Sequence, residues 1–184
     1  MRTLIVVLVV AVCSALPRAA GAEEPRLELG GGIGYHGAWT TGVDPYRFGV
    51  GLGGGRTFRG GLFLGGRVSH HFGESAAGVG PKTVYVARDS ATRFDVVPGF
   101  SVTPVRWLLL RPGAILGLDW ISGHTQIGHV RLSDDRLVPS FGPYLRLAWQ
   151  GRGVYVGAEG EGRFVPGQAA APRAGASLVW GARF

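Results

Sequence analysis

The sequence predicts an all-β fold, an eight-stranded antiparallel up-and-down barrel that crosses a membrane, and three observations predict it. Apolar residues recur at a spacing of two from Leu27 to Phe184, the period of a strand and not of a helix. Across eight such stretches the apolar parity carries no Asp, Glu, Lys or Arg, and His70 is its only imidazole; a surface without charge needs an apolar solvent. The links between the stretches alternate short and long, as in barrels whose short turns lie on one side of a bilayer and whose long loops lie on the other.

Residues 1–22 stand apart from this pattern. Arg2, an apolar run from Leu4 to Val12 and the small triplet Ala20-Gly21-Ala22 before Glu23 have the layout of a cleaved secretory signal. The run is nine residues long, well short of the ~20 that a membrane-spanning helix needs. Cys13 follows Val12 rather than a small residue, so lipidation is not expected. Removal of the signal leaves 184 − 22 = 162 residues, one domain over 23–184. That domain holds no cysteine, which excludes a disulfide scaffold. Its charge is (19 − 2) − 12 = +5, an excess that admits anionic partners such as lipid phosphates. Lys82 is the only lysine and asparagine is absent, a bias that a GC-rich genome produces without functional cause, and no nucleic-acid partner is expected.

Taken in order, the first stretch sets Leu27, Leu29, Ile33 and Tyr35 against Arg26, Glu28, Gly30, Gly32, Gly34 and His36. The second sets Tyr46, Phe48, Val50 and Leu52 against Arg47, Gly49, Gly51 and Gly53; the third sets Leu62, Leu64, Val68 and Phe72 against Gly65, Arg67, Ser69 and His71. The fourth sets Phe94, Val96 and Phe100 against Arg93, Asp95 and Ser101, and the fifth sets Leu108, Leu110, Leu116, Leu118 and Trp120 against Arg111, Gly113 and Asp119. The sixth opposes Leu137, Phe141, Leu145, Leu147 and Trp149 to Ser140, Tyr144 and Arg146. The seventh opposes Val154, Val156 and Phe164 to Tyr155, Glu159, Glu161 and Arg163, and the eighth opposes Leu178, Trp180, Ala182 and Phe184 to Arg173, Ser177 and Arg183.

A soluble barrel alternates in the same way but hides its apolar face inside. Here the opposite face is glycine and serine with scattered charges, and a lumen of eight strands has room for little more, so the apolar face points outward. Gly55–Gly60, Thr103–Trp107 and Gln150–Gly153 are the short links; 37–45, 73–92, 121–136 and 165–172 are the long ones, expected as external loops. Aromatic residues gather at the strand ends, with Tyr35, Trp39, Tyr46, Phe72, Phe94, Trp120 and Phe164 at one rim and Phe58, Trp107, Trp149, Trp180 and Phe184 at the other, the places of two interfacial girdles. Pro98, Pro112, Pro139 and Pro143 fall inside proposed strands, where each removes a ladder donor.

Eight alternating strands ending in Leu178-Val179-Trp180-Gly181-Ala182-Arg183-Phe184 resemble the small outer-membrane barrels of the OmpX and OmpA type. The resemblance covers 23–184. It implies the outer membrane of a Gram-negative bacterium, both termini in the periplasm, outer-membrane lipids as neighbours, and a terminal signal in Leu178, Trp180, Ala182 and Phe184 read by the barrel-assembly machinery. Unlike in full OmpA proteins, no peptidoglycan-binding domain is expected after these strands.

Two G-x-G-x-x-G matches, at Gly32–Gly37 and Gly49–Gly54, open no helix, so they are expected as lumen glycines rather than a dinucleotide site. Arg47, Arg67, Arg93, Asp95, Arg111, Asp119, Arg146, Glu159, Glu161 and Arg163 share the inward parity and mix both signs, which predicts an ion-pair network filling the lumen. The alternative for these charges is a narrow pore, porin-like in kind. Similar small barrels include lipid A deacylases, which pair His-x-Ser with Glu; here Ser69-x-His71 has the reverse order, and Ser69, His71 and Asp95 are the candidates for such a hydrolase. No catalysis, cofactor or metal is expected: His124 and His129, followed by Asp134 and Asp135, do not have a recognised ligand spacing. An extracellular partner is expected at 73–92 or 121–136, since loops on a rigid scaffold are free to vary.

Overall fold

The computed structural model describes residues 26–38, 44–79, 84–166 and 173–184. The proposed signal segment, Lys82 and Trp39 lie outside the described residues. Eight strands follow one another: β1 Arg26–Ala38, β2 Phe48–Thr57, β3 Leu62–Val79, β4 in two pieces Val84–Phe100 and Val102–Val105, β5 Leu108–Ile127, β6 Val130–Gln150, β7 Val154–Arg163 and β8 Arg173–Arg183. Each pairs antiparallel with the next, and β8 returns to β1, from Glu28↔Arg183 to Ala38↔Arg173. The sheet is therefore a closed antiparallel barrel, which leaves no free edge within its wall.

Alternation along the strands sets the two surfaces. Leu27, Leu29, Leu52, Leu64, Val68, Phe94, Val96, Leu116, Leu118, Phe141, Leu145, Leu147, Val156, Leu178 and Trp180 are all exposed on the outside, whereas Arg93, Arg111 and Asp119 are completely buried inside. Apolar-out and charged-in is an inversion of a water-soluble domain and fits a hydrocarbon surround.

The turns at one end are tight. Phe58 leads into a single 3-10 turn, Arg59–Gly61, where Gly60 and Gly61 take φ of 82° and 90°, a left-handed pair that only glycine adopts cheaply. At the other end the structure corrects the expected loops. Residues 73–79 and 84–92 form the outer part of the β3–β4 hairpin, and 121–127 with 130–136 the outer part of β5–β6, closed by a turn at Gly128-His129. These strands run to 20 and 21 residues in β5 and β6, about twice the 9–11 that cross a bilayer. Above Ala91 and Ile121, which are still buried, polar side chains such as Ser75, Arg88, His124, Gln126, Ser133 and Asp135 take the outward parity, so the apolar period vanishes.

Register also accounts for the strand prolines. The β4–β5 ladder runs through Val96↔Leu116, lapses, and resumes at Gly99↔Gly113; Pro98 stands in the gap, and Pro112 lies opposite the break between the two pieces of β4. The β6–β7 ladder lapses between Tyr144↔Glu161 and the isolated bridge Phe141↔Phe164, at Pro143. Pro139 lies beyond that last bridge, where β7 has ended and no donor is needed.

Candidate functional site

Inward parity brings the charges of seven strands into one lumen. Near the short-turn end Glu28 is the acceptor for Arg111, whose two terminal nitrogens donate at 2.9 and 2.6 Å, with Arg146 at 3.2 Å and Arg183 at 3.1 Å. Arg111 also donates to Ser101 and lies flat on the Phe63 ring, 3.6 Å from its centroid. Midway, Glu159 accepts from Arg146 at 2.6 Å, from the Tyr144 hydroxyl at 2.6 Å and from Arg67 at 3.0 Å. Arg67 forks onto Asp95 at 3.1 and 2.9 Å. Higher up, Arg163 donates to Asp95, Glu161 and Ser140 at 2.7, 2.9 and 2.7 Å, and Arg93 and Arg67 close on Glu161. Asp119 accepts from Ser140 and from Tyr46.

Six guanidinium groups (Arg67, Arg93, Arg111, Arg146, Arg163, Arg183) thus face five carboxylates (Glu28, Asp95, Asp119, Glu159, Glu161), 6 − 5 = +1. Such near-neutrality matters because an unpaired charge in a water-poor interior costs several kcal/mol. The bidentate Arg–carboxylate fork supplies geometry as well as attraction.

Apolar clusters pack against this network towards both ends. Leu109, Ala148, Tyr155 and Val179 cluster towards the short-turn end, beside Glu28 and Arg183, and Tyr46, Ala91 and Ile121 cluster at the other end. Phe63, Val97, Ile115 and Tyr144 lie between. The remaining space, beside the glycines of β1 to β3, is a cavity of about 60 Å³, room for a few waters. Gly55 and Gly65 make room for Phe63: a Cβ on Gly55 would stand 2.4 Å from that ring, and one on Gly65 2.7 Å.

Several predicted residues take other places. Arg47 lies outside the network, at the open rim, bonded to Tyr35 and to Glu74 at 2.8 Å; it stands just ahead of β2, its carbonyl accepting from the His36 N–H at 2.9 Å. Tyr46, expected outside, is buried at 2% exposure, because the chain ahead of β2 folds over the mouth and its hydroxyl reaches Asp119 at 2.7 Å. Glu28, His36 and Arg183 join the network although their strands gave no reason to single them out beyond parity. His36 lies 2.9 Å from Glu161.

Ser69, His71 and Asp95 do not make a relay. The Ser69 hydroxyl is 3.2 Å from His71 Nε2, but Arg93 donates to the same nitrogen at 3.1 Å. His71 Nδ1 faces the Tyr46 carbonyl at 3.1 Å rather than a carboxylate, and Asp95 is held by Arg67 and Arg163. A ring nitrogen that already accepts from a guanidinium is a poor base. His124 lies across from Ser133 on the outer hairpin and His129 sits in its turn. No group of three His, Cys, Asp or Glu among the described residues is placed to hold a metal.

The outer extension is the second candidate. β3 to β6 continue past the rim as one four-stranded sheet, paired as far as Tyr85↔Ile127. β2 last pairs at Phe48↔Phe72 and β7 at Phe141↔Phe164; past Glu74, whose N–H donates to the Asp44 carbonyl at 2.8 Å, the sheet has two edges without a strand partner among the described residues. Residues 130–137 are exposed along their whole length, with Val130 and Leu132 among them. On the inner face, burial raises the Asp89 carboxyl above its ordinary range, Arg136 and His124 opposing and Asp134 reinforcing the shift.

No protein-family model matches the chain, and no characterised relative matches it by sequence. Solved structures match its fold. The attachment invasion locus protein Ail of Yersinia pestis superposes with TM-score 0.58 at 13% identity, over 89% of this chain and 100% of that one. Neisserial surface protein A gives 0.59 at 10%, over 89% and 99%. The N-terminal β-barrel domain of Pseudomonas aeruginosa OprF gives 0.53 at 13%, over 89% and 100%. The fold is thus that of the small eight-stranded outer-membrane barrels.

Proposed function

We infer that the chain is an outer-membrane surface protein whose barrel is a closed, rigid scaffold and whose activity is contact with a partner through the protruding sheet. The observation that carries this reading is the division of the molecule: the lumen is packed with paired charges and apolar clusters, while β3 to β6 extend past the rim with exposed faces and with edges that have no strand partner among the described residues. An unpaired strand edge is a template for an added strand, and β-augmentation supplies main-chain hydrogen bonds without a preformed pocket. The edge at 130–137 alternates Arg131, Asp135 and Leu137 with Val130, Leu132 and Asp134, which offers alternate side-chain pockets to such a strand. The same division supports an orientation with the short turns and both termini in the periplasm, and the final strand with Phe184 is the segment we assign to the assembly machinery. The pore and hydrolase readings are less favoured, since the cavity is too small for a solute and the Ser69–His71 pair is buried under Arg93.

Cells displaying the chain test this. Deletion of residues 124–133 is expected to leave a folded barrel in the membrane and to remove attachment conferred by the intact chain. Attachment that survives the deletion, with the barrel intact, would place the contact elsewhere and overturn the reading.

A further inference from the structure

The two rims of the barrel differ in charge in a way the scaffold role does not require. At the external rim both signs are exposed, with Arg131 and Arg136 beside Asp134 and Asp135, and Arg47 tied to Glu74. At the short-turn rim Arg56, Arg59, Arg106 and Arg152 are all exposed, and none has a carboxylate partner among the described residues. The nearest acidic side chain in the described residues of that end, Glu28, is buried and committed to three arginines; Glu23 and Glu24 lie outside the described residues.

The level of these arginines is set by the aromatic girdle. Phe58, Trp107, Trp149, Trp180 and Phe184 are exposed at the same end, interleaved with Leu27, Leu62 and Val154 at the margin of the apolar belt, and aromatic rings of this kind settle at headgroup depth. Arg56 is on the outward parity of β2, next to the buried Thr57, and its guanidinium lies 5.6 Å from the Phe58 ring centroid. Its head therefore stands on the lipid side of the wall, at the point where a long side chain turns toward the interface. Arg59, Arg106 and Arg152 occupy the three turns, so the cations are spread around the rim.

We propose that this rim binds the phosphate headgroups of anionic phospholipids in the leaflet on the short-turn side. This rests on the membrane-barrel reading above. Cations near an anionic lipid surface each gain on the order of 1 kcal/mol, close to a fivefold preference, and a guanidinium presents the forked donors that phosphate accepts.

The full chain, refolded into phosphatidylcholine vesicles, is titrated with brominated phosphatidylglycerol or brominated phosphatidylcholine, and tryptophan quenching is read; Trp107, Trp149 and Trp180 report from this rim. Expected is a preference for the glycerol lipid of about fivefold, falling towards one in high salt and in the variant R56Q/R59Q/R106Q/R152Q. Equal quenching by the two lipids in the wild-type chain overturns the proposal. So does a preference that the fourfold variant keeps, above all one lost instead when Arg131 and Arg136 are replaced, which would place the anion site on the external rim. Failure of the wild-type chain to insert into phosphatidylcholine at all would instead overturn the barrel reading.

Discussion

Replacing Glu28 by leucine is expected to cost about 3–5 kcal/mol of barrel stability, the loss that follows when one member of a buried ion pair is removed. Glu28 is 1% exposed and is the sole carboxylate partner of Arg111, which is itself fully buried. In Glu28→Leu the Arg111 guanidinium keeps Ser101 and the Phe63 ring but no anion. Arg146 retains Glu159 and suffers less. The same physics predicts that the double variant Glu28→Leu/Arg111→Leu recovers part of the loss, because a buried pair replaced by apolar groups is often neutral. Urea midpoints of the refolded chain in detergent micelles, taken as a double-mutant cycle, measure both. A single variant as stable as the wild-type chain would show that the lumen is wet enough to solvate Arg111.

The second large effect lies on the other surface. Leu145 is half exposed on the outward face of β6, flanked by Pro112 on β5 and Gly160 on β7, four residues from Trp149 at one rim and four from Phe141, which pairs with Phe164 at the other. Leu145→Arg is expected to cost about 2–4 kcal/mol in phospholipid bilayers, as for an arginine at the midplane of a membrane barrel. Leu132→Arg, on the protruding part of β6 and equally exposed, is expected to change stability by less than about 0.5 kcal/mol, the ordinary surface range. Folding free energies in vesicles check the pair, and equal costs at the two sites would remove the boundary between belt and extension.

Parity alone located the wall, the inward charges and the outward belt, since one face in hydrocarbon and one in a polar lumen leave a strict period of two. It stopped where that contrast stops. The outer halves of β3 to β6 read as loops because Ser75, Arg88, His124, Gln126, Ser133 and Asp135 meet water on a face that carries leucine or phenylalanine lower down. Tyr46 had the outward parity by counting back from Phe48, but strand geometry ends at Phe48, and a residue in a turn obeys no parity. Which carboxylate meets which arginine is set by strand register and barrel closure. Glu28 reaches Arg183 because β8 returns to β1 and reaches Arg111 across the lumen, two facts that local sequence does not encode. The prolines became intelligible only with the ladders drawn, when Pro98 and Pro143 fell at lapses in pairing.

A closed barrel with its apolar face outward underlies both effects. Electrophoretic mobility of residues 23–184, refolded in detergent and run unheated against boiled, with circular dichroism on the same samples, is the decisive experiment. The structure predicts a β-type spectrum and a compact unheated species that shifts on boiling, since closure leaves no edge from which the sheet could peel in detergent. A chain that shows no shift and remains folded in water without detergent would contradict it, and would make the exposed leucines and phenylalanines of the belt the core of a different fold.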